Sequence, residues 1–195
     1  MSRTIAAAPD EASTAPATAR APTTELNDAL VLADGEPLRL KPLGPEDRDR
    51  LASLFARLTP ESRRRRFLSP KRELTARELV YFTEIDHVQH EAIAAVDQRD
   101  GSFGGVAQYV HDGDRAGVAN VALVVADRFH GMGLGTALIT HTVQRARANG
   151  FTLLTATTLW ENRPARAVLR RLGFRARVSH GSEIEYELEL EQPGA

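Results

Sequence analysis

Val121-Ala122-Leu123-Val124-Val125-Ala126-Asp127-Arg128-Phe129-His130-Gly131-Met132-Gly133-Leu134-Gly135 is the most informative stretch of this chain. It opens as an apolar strand, passes through a short polar turn and reaches three alternate glycines where a helical pattern begins. Glycine there permits positive φ and, lacking a Cβ, lets the backbone come close to a ligand. The N–H groups that follow point outward at a helix N-terminus, where the peptide dipoles present positive charge, so the turn suits an anion such as a pyrophosphate. No Gly-Lys-Ser/Thr follows, which excludes a P-loop. A dinucleotide fingerprint needs glycine at position 136 or 138, and the chain has Thr136 and Leu138. A glycine-rich linker with no ligand is the plain alternative that these residues alone leave open.

Downstream, Leu134, Leu138, Ile139, Val143 and Ala146 give a helix from Gly133 to Asn149 its apolar stripe, and Gly150 suits the stop. Phe151–Thr158 is a strand. Asn162 caps a further helix with Pro164 in its first turn and Ala165, Val168, Leu169 and Leu172 inward. Phe174–Ser179 and Glu183–Leu190 close the chain as a hairpin around Gly181. Upstream, Leu38–Leu43 alternates as a strand. Gly44-Pro45-Glu46-Asp47 starts a helix with Leu51, Leu54, Phe55 and Leu58 on one face, ended by Thr59-Pro60, and a second helix runs from Thr75 to Thr83. Glu91–Asp97, Phe103–His111 and Val118–Ala126 have the period of two, with turn-rich residues between them. The pattern predicts an α/β (α+β) fold: a central mixed, mostly antiparallel sheet of about seven strands with helices on both faces, in which a β-α-β crossover follows an antiparallel meander.

The composition bounds the function. Lys and Arg number 25 against 26 Asp and Glu, a net charge of −1, which disfavours nucleic acid as a partner. The absence of cysteine excludes disulfides, Cys-based zinc sites and a cysteine acyl-enzyme, and fits a reducing cytoplasm. No run approaches the ~18 apolar residues of a membrane span, and no signal peptide is evident. Residues 1–28, rich in Ala, Thr and Pro, read as a disordered tail; residues 29–191 read as one domain and 192–195 as a C-terminal tail.

The combination from Val121 to Phe174 resembles the GNAT (Gcn5-related) acetyltransferase family. Its signature places Gln/Arg-x-x-Gly-x-Gly/Ala after the fourth strand, matched here by His130-Gly131-Met132-Gly133-Leu134-Gly135; a helix, a strand, an Asn (Asn162) and Leu172-Gly173-Phe174 follow in family order. The resemblance covers nearly all of the chain past residue 30. Thr59-Pro60-Glu61-Ser62 with Arg66-Phe67, Ile85-Asp86 with Ala92, and Val124–Phe129 look like the bacterial Pat-type protein-lysine acetyltransferases.

The resemblance implies an N-acetyltransferase that moves an acetyl group from acetyl-CoA to a primary amine, on a protein lysine or a small molecule, by direct attack in a ternary complex. It implies CoA contacts from Leu123, Val124, Val125, Arg128, His130, Gly131, Met132, Gly133, Leu134, Gly135, Thr136, Asn162 and Arg166, with no metal, no nucleic acid, no membrane, and a monomer or homodimer in the cytoplasm.

Three family positions depart from the pattern. The general-base Glu of the fourth strand is Asn120, and the Tyr acid four residues before Gly173 is Leu169. His130 stands where the family has Gln or Arg, with Arg128 nearby to compensate. Replacement carboxylates are Glu91, at the start of a strand, and Glu161, beside Asn162; ordinary surface roles are open for both. His87, His90 and His111 lie near strand ends without metal-ligand spacing. In the run Arg63–Arg66, Arg66 stands apart through the Pat-type resemblance as a clamp for a phosphate or an acidic substrate. An enzyme acting by positioning alone, and a non-catalytic acyl-CoA-binding regulatory module, both satisfy these residues.

Overall fold

The computed structural model describes residues 28–32 and 35–191. Apart from Asp28, both expected tails lie outside the described residues. Eight strands, β1 (Ala29–Val31), β2 (Pro37–Pro42), β3 (His90–Asp97), β4 (Phe103–His111), β5 (Val118–Val125), β6 (Leu153–Leu159), β7 (Arg175–His180) and β8 (Glu183–Glu189), form one sheet in the order β1-β2-β3-β4-β5-β6-β8-β7. The β5–β6 pair is parallel and the others are antiparallel. The helices are α1 (Arg48–Arg57), α2 (Pro60–Phe67), α3 (Ala76–Thr83), α4 (Leu134–Ala148) and α5 (Arg163–Arg171).

Strand register sorts the side chains onto two faces. Glu91, Tyr109 and Val121 stand in one row across β3, β4 and β5; Ala92, Gln108 and Ala122 stand in the next row, on the opposite face. The first face carries α4. Gly105 lets it come close: a Cβ there would lie 2.9 Å from the Val124 carbonyl and 3.0 Å from Leu138 Cδ1. The second face carries α1, α2 and α3, whose Phe55, Phe67 and Phe82 rings stack in sequence at 5.6 and 6.4 Å. Coverage from both sides explains why β3 is buried almost end to end in Ala and Ile rather than alternating with polar residues.

Local chemistry sets the helix starts. Thr59 Oγ accepts from Ser62 N–H at 3.2 Å and caps α2, with Pro60 in its first turn. Thr75 and Glu78 form a reciprocal capping box for α3. Asn162 Oδ1 accepts from Ala165 N–H and caps α5, as its sequence position suggests.

Two elements exceed the sequence expectation. The sheet has eight strands rather than about seven, because β1 is three residues long and too short to show an alternation. Helix α2 is separate: Thr59-Pro60 ends α1 and at once starts another helix, and four consecutive arginines conceal its apolar face. The other expected bounds agree with the structure to within about two residues.

The decisive irregularity is between β5 and β6. They share three paired positions, Val118–Leu153, Ala119–Leu154 and Asn120–Thr155, and none beyond. Meanwhile β5 stays paired with β4 to Val125, and β6 with β8 to Leu159. The sheet therefore opens in a V past Asn120 and Thr155.

Glu91 shows how α4 is fixed. It has no exposed surface, accepts from Arg145 Nε at 3.0 Å and from Ala92 N–H at 2.9 Å, and meets His87 Nδ1 at 2.8 Å. Removing the guanidinium leaves a buried carboxylate short of its charge partner. Arg145→Met should therefore cost about 3 kcal/mol of unfolding free energy. Urea denaturation checks this; a loss near zero would mean the pair does not anchor the helix.

Candidate functional site

The V between β5 and β6 is an open cleft. Asn120, Val121, Ala122 and Leu123 form one wall, and Ala156, Thr157 and Thr158 the other. Asn162, Ala165, Val168 and Leu169 come from α5 and its cap, Ile139 from α4, and Arg65, Arg66 and Leu68 from α2 and its end.

Backbone direction along β5 follows from two bonds. Ala126 N–H donates to Gly104 O on the β4 side, and Val118 O accepts from Asp112 N–H on that same side. Alternation then turns the N–H groups of Leu123 and Val125 towards β6, where strand pairing has stopped. These are two peptide donors on the open edge of the V. The Val125 carbonyl, on the same edge, is met by His130 Nε2 at 3.0 Å.

The glycine turn lies at the mouth of this edge. A 3₁₀ turn, Asp127–Phe129, leads from β5 and is anchored by the buried Phe129. Gly131 and Gly133 have φ of 78° and 90°, and a Cβ at either would meet nothing within 4 Å. Their conformation demands glycine, while the space in front of them is open. Gly135 is glycine for a different reason. A Cβ on it would stand 3.2 Å from Leu123 Cδ2, where α4 packs on β5. Met132 and Thr136 are half-buried on either side of Gly133, and Leu134 is fully buried below the turn.

Asp127 ties this turn to α2. Its carboxylate accepts from Thr59 N–H (3.0 Å), Thr59 Oγ (3.1 Å) and Ser62 Oγ (2.6 Å). Burial alone would raise the Asp127 pKa, but these hydrogen bonds, with His130 nearby, hold it below the ordinary Asp value. The residue is visible in the sequence, yet its partners lie more than sixty positions upstream, so only the fold reveals what it holds together.

The expected site residues divide into three groups. Leu123, Val125, His130, the glycines, Met132, Thr136 and Asn162 lie along the V and its mouth, whereas Val124 borders the apolar cavity on the other side of β5 and Leu134 is buried beneath the turn. Arg128 and Arg166 are engaged elsewhere. Arg128 bonds Asp97 and Ser102 at 2.9 Å each, clasping the β3–β4 turn. Arg166 donates to Trp160 O at 2.8 Å and lies 4.3 Å over the Trp160 ring. Of the carboxylates, Glu91 is on the α4 face outside the cleft, while Glu161 is exposed at the rim and paired with Arg64. The Arg64 hydrogen bond and charge keep the Glu161 carboxyl below its usual range. Asn120 lines the cleft and donates through Nδ2 to Thr155 Oγ at 3.2 Å. Sequence reasoning does not single out Arg65, Thr157 and Thr158, which also line it; the residue types carry no motif, and only the splaying of β6 brings them there.

Residues 53–174 match the Acetyltransferase (GNAT) family. The chain belongs to this family. It is an acyl-CoA-dependent N-acetyltransferase, and its mixed sheet with flanking helices is the GNAT fold. Among relatives, Acetyltransferase PA5475 of Pseudomonas aeruginosa is 32% identical over 145 residues, covering 73% of this chain and 77% of the relative. Acetyltransferase Pat of Mycolicibacterium smegmatis is 30% identical over 139 residues, 71% of this chain but 41% of Pat, so the similarity spans less than half of that protein. The crystal structure of the GNAT domain of S. lividans PAT superposes with a TM-score of 0.78 at 28% identity, covering 85% of this chain and 97% of that one. The narrower likeness to Pat-type GNAT domains thus extends to the fold. Among the described residues, no helix is long and apolar enough to cross a membrane.

The Asp127 tether makes a pH-dependent prediction. Its folded pKa is depressed, so its contribution is complete above the ordinary Asp value and disappears as pH falls through the folded value. Asp127→Asn should cost about 2 kcal/mol at pH 7. The gap between wild-type and variant stability should close in acid. Denaturant titrations from pH 7 down to about pH 2, below the ordinary Asp value, check this; a gap independent of pH would mean the carboxylate charge is irrelevant to the tether.

Proposed function

We propose that this enzyme transfers an acetyl group from acetyl-CoA directly to the amine of an acceptor within the V between β5 and β6. The supporting observation is the glycine turn: positive φ at Gly131 and Gly133, with open space before them, beside a strand edge whose Leu123 and Val125 N–H groups have no strand partner. The backbone N–H groups of residues 131–136 would hold the pyrophosphate at the start of α4. Leu123–Val125 would hold the pantetheine by strand-like hydrogen bonds, and Asn162 shapes the opposite wall by capping α5. Asn162, His130, Met132, Leu134 and Thr136 act as supports, whereas Arg128 and Arg166 hold neighbouring turns. The folded unit runs from residue 29 to 191, and a cysteine-free chain using acetyl-CoA fits the cytoplasm.

When bound, acetyl-CoA supplies an activated thioester carbonyl and a good thiolate leaving group. A peptide N–H of Leu123 or Val125 donates to the carbonyl oxygen as charge builds on it. The amine must arrive neutral. Asn120 cannot take its proton, but with Nδ2 on Thr155 its Oδ1 can accept from an amine N–H and aim the lone pair. Glu91 is committed to Arg145, and the Arg64 hydrogen bond makes Glu161, exposed at the rim, a weaker base than an ordinary carboxylate. The proton therefore leaves through water in the cleft.

Isothermal titration with acetyl-CoA, followed by thiol release against a panel of amines, tests the reading; binding without acceptor-dependent release would remove it. Gly133→Asp places a carboxylate where the pyrophosphate would lie, and its Cβ has room. It should fold, with a strain of about 1–2 kcal/mol from the left-handed φ, yet lose acetyl-CoA affinity by roughly a hundredfold; unchanged affinity would dissociate this turn from the cofactor. In the wild type, kcat/KM should rise with pH towards the acceptor's own pKa, about 10.4 for a lysine-like amine. Asn120→Glu should add a base and, at saturating acceptor, shift the rise of kcat with pH to lower pH. A profile unmoved by this change would place the proton exit elsewhere.

A further inference from the structure

Arg66 is the polar group that the transfer chemistry leaves unused. It lines the V-shaped cleft and also borders an apolar cavity walled by Leu54, Phe55, Phe82, Val106 and Val124, so it stands between the two. Its guanidinium is fixed in place, 4.8 Å over the Phe67 ring and 5.9 Å from that of Phe82. Among the described residues it forms no ion pair, and its Nη1 is buried without a hydrogen-bond partner. Nearby Tyr81 and His90 offer no counter-charge. Burial raises the phenol's pKa and pushes the imidazole down to about 4, so both are neutral at pH 7. Burial lowers Arg66 itself only to about 10, and it remains a cation.

The rest of the cleft lining has the same bias. It contains no carboxylate, since position 120 is Asn, and its other arginine, Arg65, is already paired with Glu61 at 2.8 Å, which leaves Arg66 as the unpaired cation of the lining. Thr158 Oγ, in the same lining, is likewise buried without a partner. Buried polar groups without partners are rare in folded proteins, and a fixed guanidinium sharing one lining with a donor hydroxyl matches a planar anion. A protein lysine brings only a cation to such a pocket. A zwitterion brings its own anion.

We infer that the acceptor carries a carboxylate held by Arg66: a free amino acid with an apolar side chain, the carboxylate on the guanidinium and the side chain towards the Phe55–Phe82 cavity. This inference rests on the acetyl-transfer reading above and names its substrate class.

Two measurements separate the inference from that reading. The first is binding of N-acetylleucine and of N-acetylleucinamide to the CoA-saturated protein, which needs no turnover. The acid should bind roughly ten- to hundredfold more tightly than the amide, the range for a hydrogen bond to a buried charge. Arg66→Gln should abolish that difference while CoA affinity and the melting temperature stay near wild type. Should that variant fail to fold, the wild-type ratio and Arg66→Lys, which keeps the charge but not the fork, decide the matter. Equal affinities, no binding of either, or loss of CoA affinity in the folded variant would each overturn the carboxylate assignment.

The second measurement is kcat/KM for leucine, leucinamide and an Nα-acetyl-lysine amide. Preference for leucine supports the inference. Turnover that favours either amide leaves the acetyl-transfer reading intact and sinks this one. An acid-selective binding site with no turnover of any amine would do the reverse.

Discussion

The parting of β5 from β6 is the constraint on which the rest depends. Three shared positions hold the strands together, and beyond Asn120 and Thr155 each keeps only its outer neighbour. A parallel pair that stopped bonding inside a sheet would normally leave a strip of peptide groups without partners, at a cost of about 1–3 kcal/mol each if buried dry. The protein limits that cost by making the strip an open wall. One carbonyl, that of Val125, is met by His130; the N–H groups of Leu123 and Val125 face the cleft. The strip is short, ends at a helix start and lies beside a glycine turn, so its unpaired donors are collected at one open mouth.

Holding a sheet open requires clamps outside it, and the structure has them on both sides. On one face the buried Glu91–Arg145 pair fixes α4, and with it the glycine turn at its N-terminus. On the other, Asp127 gathers three hydrogen bonds from the first turn of α2, the helix that carries Arg65 and Arg66 into the cleft. The residue that leads into the glycine turn is therefore bonded directly to the helix that borders the cleft. The Arg64–Glu161 pair joins the same helix to the β6–α5 turn, on the far wall. Helix α2 is thus tied to both walls of the V and sets their separation.

Much of this is legible in the sequence, for identifiable reasons. Long alternating strands and striped helices define the architecture, because their periods span enough residues to be unambiguous. The glycine turn is legible because positive φ at Gly131 and Gly133 restricts residue choice so strongly. What escapes depends on long-range partners. Arg128 resembles a phosphate ligand from its place two residues before His130, but Asp97 and Ser102, on the β3–β4 turn, have the stronger claim. Glu91 resembles a cleft acid at the start of a strand; strand parity puts it on the face of Arg145 instead. Helix α2 is hidden because Pro60 ends one helix and starts the next, and no local rule distinguishes the two uses.

The replacement of a carboxylate by Asn120 and the unpaired charge of Arg66 belong together. An enzyme that draws an ammonium into its cleft gains from a nearby carboxylate, which attracts the cation and then takes its proton. The same carboxylate would repel an acceptor's own anionic group, since like charges at close range in a partly desolvated pocket cost several kcal/mol. A cleft with Asn120 and the unpaired Arg66 reverses both effects. It disfavours a bare ammonium and attracts an anion attached to the acceptor. The departure from the family pattern at position 120 is, in these terms, a change of acceptor rather than a loss of catalysis.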